Sequence, residues 1–125
     1  MRNAINWFEI PVNDIKRAKS FYEAIFDFEL FDLDIGDGLQ MAIFPAENGT
    51  VGGALIQKEE YYYPSDTHGP LLYLNANPDL QTVLDKVEDS GGTVSIPKRL
   101  ITEDNGYMAV IIDSEGNRVA LHSNS

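Results

Sequence analysis

Apolar and polar residues alternate along residues 5–12. Trp7 and Glu9 fall on one side and Phe8 and Ile10 on the other, the period of a strand that Pro11 closes. Asn13-Asp14 offers a helix cap. Ile15, Ala18, Phe21, Tyr22, Ile25 and Phe26 then recur at the spacing that lays one apolar helix face on a neighbour. Strands are predicted at 28–33, 39–44 and 51–57, with a turn at 35–38 marked by Asp37-Gly38 and another at 45–50. A polar and aromatic connection spans 58–69. The order then restarts with a strand at 71–76, and Asn77 as a cap before Pro78 at the first helical position. Leu80, Val83, Leu84 and Val87 form the second helix face, Gly91-Gly92 stops it, and strands follow at 93–96, 106–112 and 117–123.

Both halves therefore read strand, helix, strand, strand, strand: module one over about 4–57, a linker at 58–69, and module two over about 70–123. The segment from Gly38 to Ile43 echoes that from Gly106 to Ile111, each glycine opening a strand after a turn. One helix covers only one face of a sheet. Two βαβββ modules, side by side or from two subunits, are thus expected to pair into a curved, mostly antiparallel trough with the helices outside, a single α+β domain.

Composition narrows the chemistry. Twenty Asp and Glu against nine Lys and Arg leave a formal charge of −11 over 125 residues, which excludes the basic face that nucleic acid requires. Cysteine is absent, so disulfides, thiolate metal sites and cysteine nucleophiles are excluded. The two histidines, His68 and His122, are too far apart for a zinc helix. No run is long and apolar enough to span a membrane and the first residues lack a leader's apolar stretch, so a cytoplasmic protein is expected. Asp32, Asp34 and Asp37 lack the spacing and closing glutamate of a calcium loop.

The segments WFEIPVNDIKRAKSFYEAIF, LLYLNANPDLQTVLDKVEDSGGTV and DSEGNRVALHS together resemble the vicinal oxygen chelate superfamily, which includes lactoylglutathione lyase, bleomycin-resistance proteins and extradiol dioxygenases. The resemblance covers nearly the whole chain and implies the trough, a small-molecule ligand and a homodimer. It also implies metal ligands on the first and last strand of each module, at positions that fall here on Trp7, Gly53, Leu71 and Ala120. None of these side chains is a donor for a divalent ion. A slip of two residues brings in only Glu9 and His122. Neither a metal nor another cofactor is expected at the usual place.

Glu9 shares the parity of Trp7 and should face the trough, either as a ligand-binding or general-base carboxylate or as a rim residue reaching solvent. His122 shares the parity of Ala120; it either joins Glu9 as an acid–base pair or is satisfied by backbone. Trp7, Tyr73 and Tyr107 are candidates for an aromatic wall, although core packing is the plainer reading of Trp7. Leu71 and Ala120 supply apolar wall, and Asn75 continues the face of Tyr73 and can orient a ligand or cap a turn. Lys98 and Arg99 are placed in a loop, where they either grip an anion or are neutralised by neighbours. The run Tyr61 to Tyr63 suits a lid or a contact with a partner. The leading expectation is a small-molecule-binding protein lacking the family's metal. The alternatives are a lyase, isomerase or dioxygenase of the same superfamily, and an interaction domain docking through the tyrosine run.

Overall fold

The computed structural model describes residues 3–125; Met1 and Arg2, the start of the segment read for a leader, lie outside them. Strand β1 (Trp7–Pro11) leads to helix α1 (Ile15–Phe26), then β2 (Phe31–Gly36), β3 (Leu39–Ile43) and β4 (Gly52–Gln57). The second half repeats this with β5 (Tyr73–Asn75), α2 (Leu80–Leu84), a 3₁₀ turn (Glu88–Ser90), β6 (Thr93–Thr102), β7 (Gly106–Ile112) and β8 (Arg118–Ser123). Each half forms a four-stranded sheet, ordered β1-β4-β3-β2 and β5-β8-β7-β6. Only the pairs β1–β4 and β5–β8 are parallel. Gly38 and Gly106, the glycines at the head of the echo, have φ of +75° and +77° and stand at the openings of β3 and β7.

Strand parity divides the apolar residues into three clusters. Ile10, Leu55, Ile111 and Leu121 face inward with Phe21, Tyr22 and Ile25 of α1 and Leu80 and Val83 of α2, making one core under both helices. Met41, Ala54 and Ile56 occupy the opposite face of sheet one, and Met108, Val110 and Ala120 that of sheet two. Those two faces form the trough.

Three expectations are corrected. Pro78 does not open α2: Asp79 is the cap, its carboxylate accepting from Gln81 N at 2.9 Å. Lys98 and Arg99 lie in no loop, because β6 continues through Pro97 to Thr102. There Lys98 Nζ bonds Asp79 at 2.8 Å and sits 4.5 Å above the Tyr107 ring, and Arg99 Nε lies 3.3 Å from Met108 Sδ. Residues 28–30 precede β2, because Asp27 ends α1 in the left-handed conformation (φ 56°) and turns Phe28 back toward the helix.

The two modules are joined by the turn at 113–117. Glu115, whose side chain is 0% exposed, accepts from Asn13 N and Asp14 N at 2.9 and 2.8 Å and from Arg17 Nε and Nη2 at 2.7 and 3.0 Å. An acidic residue of module two thus satisfies the open N–H groups at the start of α1 and compensates its dipole. Burial pushes the Glu115 carboxyl up, but Arg17, the two backbone N–H groups and the Ser114 hydroxyl together hold it below its ordinary value. Asp113 accepts from the buried Tyr22 hydroxyl at 2.6 Å, and Asn117 Nδ2 reaches Pro11 O at 2.7 Å.

Candidate functional site

β1 and β5 are edge strands of their sheets, and the seam between the modules holds the candidate site. Beside β1 lies a cavity of about 380 Å³ lined by Trp7, Phe8, Glu9, Tyr63, His68 and Arg118, among others. Trp7 is 43% exposed, so it is a wall of this cavity and not a core residue. It owes that position to Gly52, its partner in the parallel register: a Cβ there would stand 3.2 Å from the indole. Phe8 lies over Gly53 in the same way on the opposite face, where a Cβ would meet its ring at 2.3 Å. This register corrects the parity of Gly53, which faces the helices with Phe8; Gly52 and Ala54 are the residues that share the face of Trp7 and Glu9.

Glu9 is held by two aromatic donors. Tyr62 OH reaches its Oε1 at 2.7 Å, and Trp7 Nε1 approaches Oε2 at 3.3 Å. The hydrogen bond to Glu9, followed by burial and the charge of the carboxylate, pushes the Tyr62 hydroxyl up to about 12. Tyr62 packs on the Met41, Ala54 and Ile56 cluster, so the linker covers sheet one and anchors Glu9 with the same side chain. A carboxylate fixed by aromatic donors beside an indole and a phenol can receive a cation or a strong donor group. Arg118 supplies the opposite charge, and no carboxylate among the described residues forms a salt bridge with it.

The remaining candidates divide. His122 lies on the face of Ala120 but bonds Asn105 O through Nε2 at 2.7 Å, while Glu9 is engaged by Trp7 and Tyr62. The structure makes no Glu9–His122 pair. Tyr107 turns to the helix-side core beneath Lys98, away from the trough, because its neighbour Met108 takes the trough face. Leu71 and Ala120 do share the trough cluster of sheet two. Tyr73 and Asn75 line a second cleft along the seam, and Asn75 Oδ1 also accepts from Asn77 N and Nδ2 at 3.0 and 2.8 Å. Tyr62, His68 and Arg118 were not singled out for the pocket from sequence. Only the tyrosine run gave a signal, since the linker's path over β1 is a long-range property.

The donor set does not fit a divalent ion at the four expected strand positions. Trp7, Leu71, Ala120 and either Gly53 or its trough-facing neighbours Gly52 and Ala54 present indole, hydrocarbon or no side chain. Among the described residues, no three His, Cys, Asp or Glu side chains gather as a metal site. Nor does any helix reach the length and apolarity needed to cross a membrane.

Solved structures with the same fold include a glyoxylase/bleomycin resistance protein/dioxygenase domain from Frankia sp. EAN1pec (TM-score 0.71, 15% identity, 100% of each chain covered). A glyoxalase/bleomycin resistance protein from Albidiferax ferrireducens T118 gives a TM-score of 0.68 at 18% identity, with 98% of this chain and 100% of that one covered. Glyoxalase I from Zea mays gives 0.68 at 18% identity; 95% of this chain covers 45% of that longer one. Among curated proteins none matches. These likenesses carry the fold, whereas the sequence model of the glyoxalase/bleomycin resistance protein/dioxygenase superfamily matches residues 4–121. The chain belongs to that superfamily.

Proposed function

We propose that the protein binds a small molecule at the β1 seam without the divalent ion that metal-dependent relatives use. The observation that carries this reading is the Glu9 carboxylate, oriented by Tyr62 and Trp7 at a cavity of about 380 Å³, where the four expected ligand positions carry no metal donor. The ligand has a flat apolar body for Trp7 and Tyr63, a cationic or donor group for Glu9, and an acceptor for Arg118. Sequestration of a toxic or antibiotic compound is one use of such a site.

A thermal-shift series of aromatic amines tests the reading. A ligand at a hundredfold its dissociation constant should stabilise the protein by about 2.7 kcal/mol, and Glu9→Gln should abolish the shift. An unchanged shift in Glu9→Gln would remove Glu9 from the site. Stoichiometric zinc, nickel, iron or manganese in purified protein, or chelator-sensitive turnover of a hemithioacetal, would replace the proposal with a metal-dependent enzyme.

A homodimer belongs to the same proposal. Leu33 and Phe31 pair with Met41 and Ile43 and continue the trough face, yet Phe31 is 61% exposed and Ile35, at the end of the same strand, 60%. In a chain of charge −11, an uncharged stripe is where two copies approach without repulsion. Leu33→Glu should then yield monomers in sedimentation equilibrium. A monomeric wild-type protein would overturn this part alone.

A further inference from the structure

A second cleft, of about 280 Å³, runs along the same seam and shares only Phe8 with the cavity at Glu9. Its walls carry no charged side chain, in contrast to the first cavity, which holds Glu9 and Arg118. Four phenylalanines form a continuous chain along it. Phe26 and Phe28 stack at 5.1 Å between centroids, Phe28 meets Phe44 edge-on at 5.9 Å, and Phe44 meets Phe8 at 5.5 Å. The backbone creates this arrangement: the left-handed Asp27 folds Phe28 back onto Phe26, and Gly53 leaves the space in which the Phe8 ring lies. Phe8, Phe26 and Phe28 stay only partly buried, so their rings face the cleft and are not sealed in the core. Tyr73 and Asn75 of β5 stand at its edge, and the two hydrogen bonds accepted by Asn75 Oδ1 leave its NH₂ available there.

We propose that this phenylalanine-walled cleft between β1 and β5 is a binding site for a neutral aromatic molecule of about two fused rings, separate from the charged cavity at Glu9. Aromatic walls favour offset and edge-on contact with another ring. A cavity of about 150 Å³ holds benzene, so the volume here suits a bicyclic compound. Charge is rejected for a physical reason: an ion entering the cleft would lose water and find no counter-charge in the walls.

Naphthol, with naphthylmethylamine and naphthoate as its charged counterparts, tests the proposal on the intact chain. Naphthol should bind saturably and show nuclear Overhauser contacts to the Phe28 and Phe44 ring protons. Read at those ring protons, both charged analogues should bind the cleft at least about tenfold more weakly, a difference of about 1.4 kcal/mol. Val51→Trp, which fills the cleft beside Gly52, should weaken naphthol binding, while Glu9→Gln should leave it unchanged. Naphthol contacts to Trp7 and Arg118 in place of the phenylalanines, equal binding of the charged analogues at the phenylalanine rings, or no saturable binding of naphthol would each overturn the proposal. The contact map is read on the wild-type protein, so the test stands even if the tryptophan variant does not fold. Amine binding left unchanged by Glu9→Gln, with naphthol still held at the phenylalanines, would sink the first site and not this one.

Discussion

The two helices begin alike and are secured differently. Asp14 caps α1 and Asp79 caps α2, each through its own carboxylate. The last residue of the matching module's final strand helps in both cases: Gln57 accepts from Ile15 N at 2.8 Å, and Ser123 accepts from Leu80 N at 2.9 Å. There the symmetry stops. Glu115 crosses from module two to the start of α1, whereas Glu47 in the equivalent turn of module one uses its backbone oxygen for Thr50. Inserting a buried carboxylate between the modules ties their relative position to one charge. Together with the shared core and the Tyr22–Asp113 and Asn117–Pro11 bonds, that contact fixes the seam that holds both clefts.

The largest break in this comparison should come from Glu115→Ala. It leaves the Asn13 and Asp14 N–H groups and the half-exposed Arg17 guanidinium without their shared partner, and should lower unfolding free energy by about 2 kcal/mol in urea titrations. Gly53→Ala comes next. Its methyl would occupy the Phe8 ring, and a forced shift of this kind costs about 1–3 kcal/mol. Gly52→Ala should cost less, because the half-exposed Trp7 ring can move outward.

The pH dependence separates the two helix starts further. Glu115 titrates below its ordinary 4.5 when folded, so its contribution is present above that pH and is lost as the pH falls through the folded value. Melting curves should decline on the acid side, and Glu115→Gln should flatten that decline. At the other limit, Tyr62 is raised from 10.0 to about 12, so its bond to Glu9 stabilises below pH 10 and fades as the pH rises toward 12. Tyr62→Phe should remove this alkaline loss. The smallest effect should come from Asp79→Ala. The exposed Asp79 carboxylate is held low by Lys98 and the Gln81 N–H, so its loss should shift the melting temperature less than Glu115→Ala does. A larger shift from Asp79 would reverse the comparison.

What was legible follows the range of each signal. The α1 face, the Asp14 cap and the strand alternation around Glu9 are local patterns, and the structure follows them. Pro97 suggested that Lys98 and Arg99 leave the sheet. β6 instead carries them on, because its pairing with β7 shifts register around Pro97 and leaves that residue without a required ladder bond. The parity of Gly53 depended on the strand register, and a one-residue difference exchanged the two faces. Tyr107 failed as a wall residue for the same reason.

By itself the sequence determined the two βαβββ repeats, the trough parity of Glu9, the absence of thiols and the residue types at the strand positions where ligands were expected. These depend on residue type and on spacings of a few residues. Only the tertiary structure decided that Tyr62 holds Glu9, that His122 turns to Asn105, and that Glu115 caps a helix some hundred residues away. It also decided that four phenylalanines, from β1, the end of α1, the bend after it and the residue after β3, line one cleft. Those contacts arise where two modules meet, and no local propensity records which residues of one module the other will face.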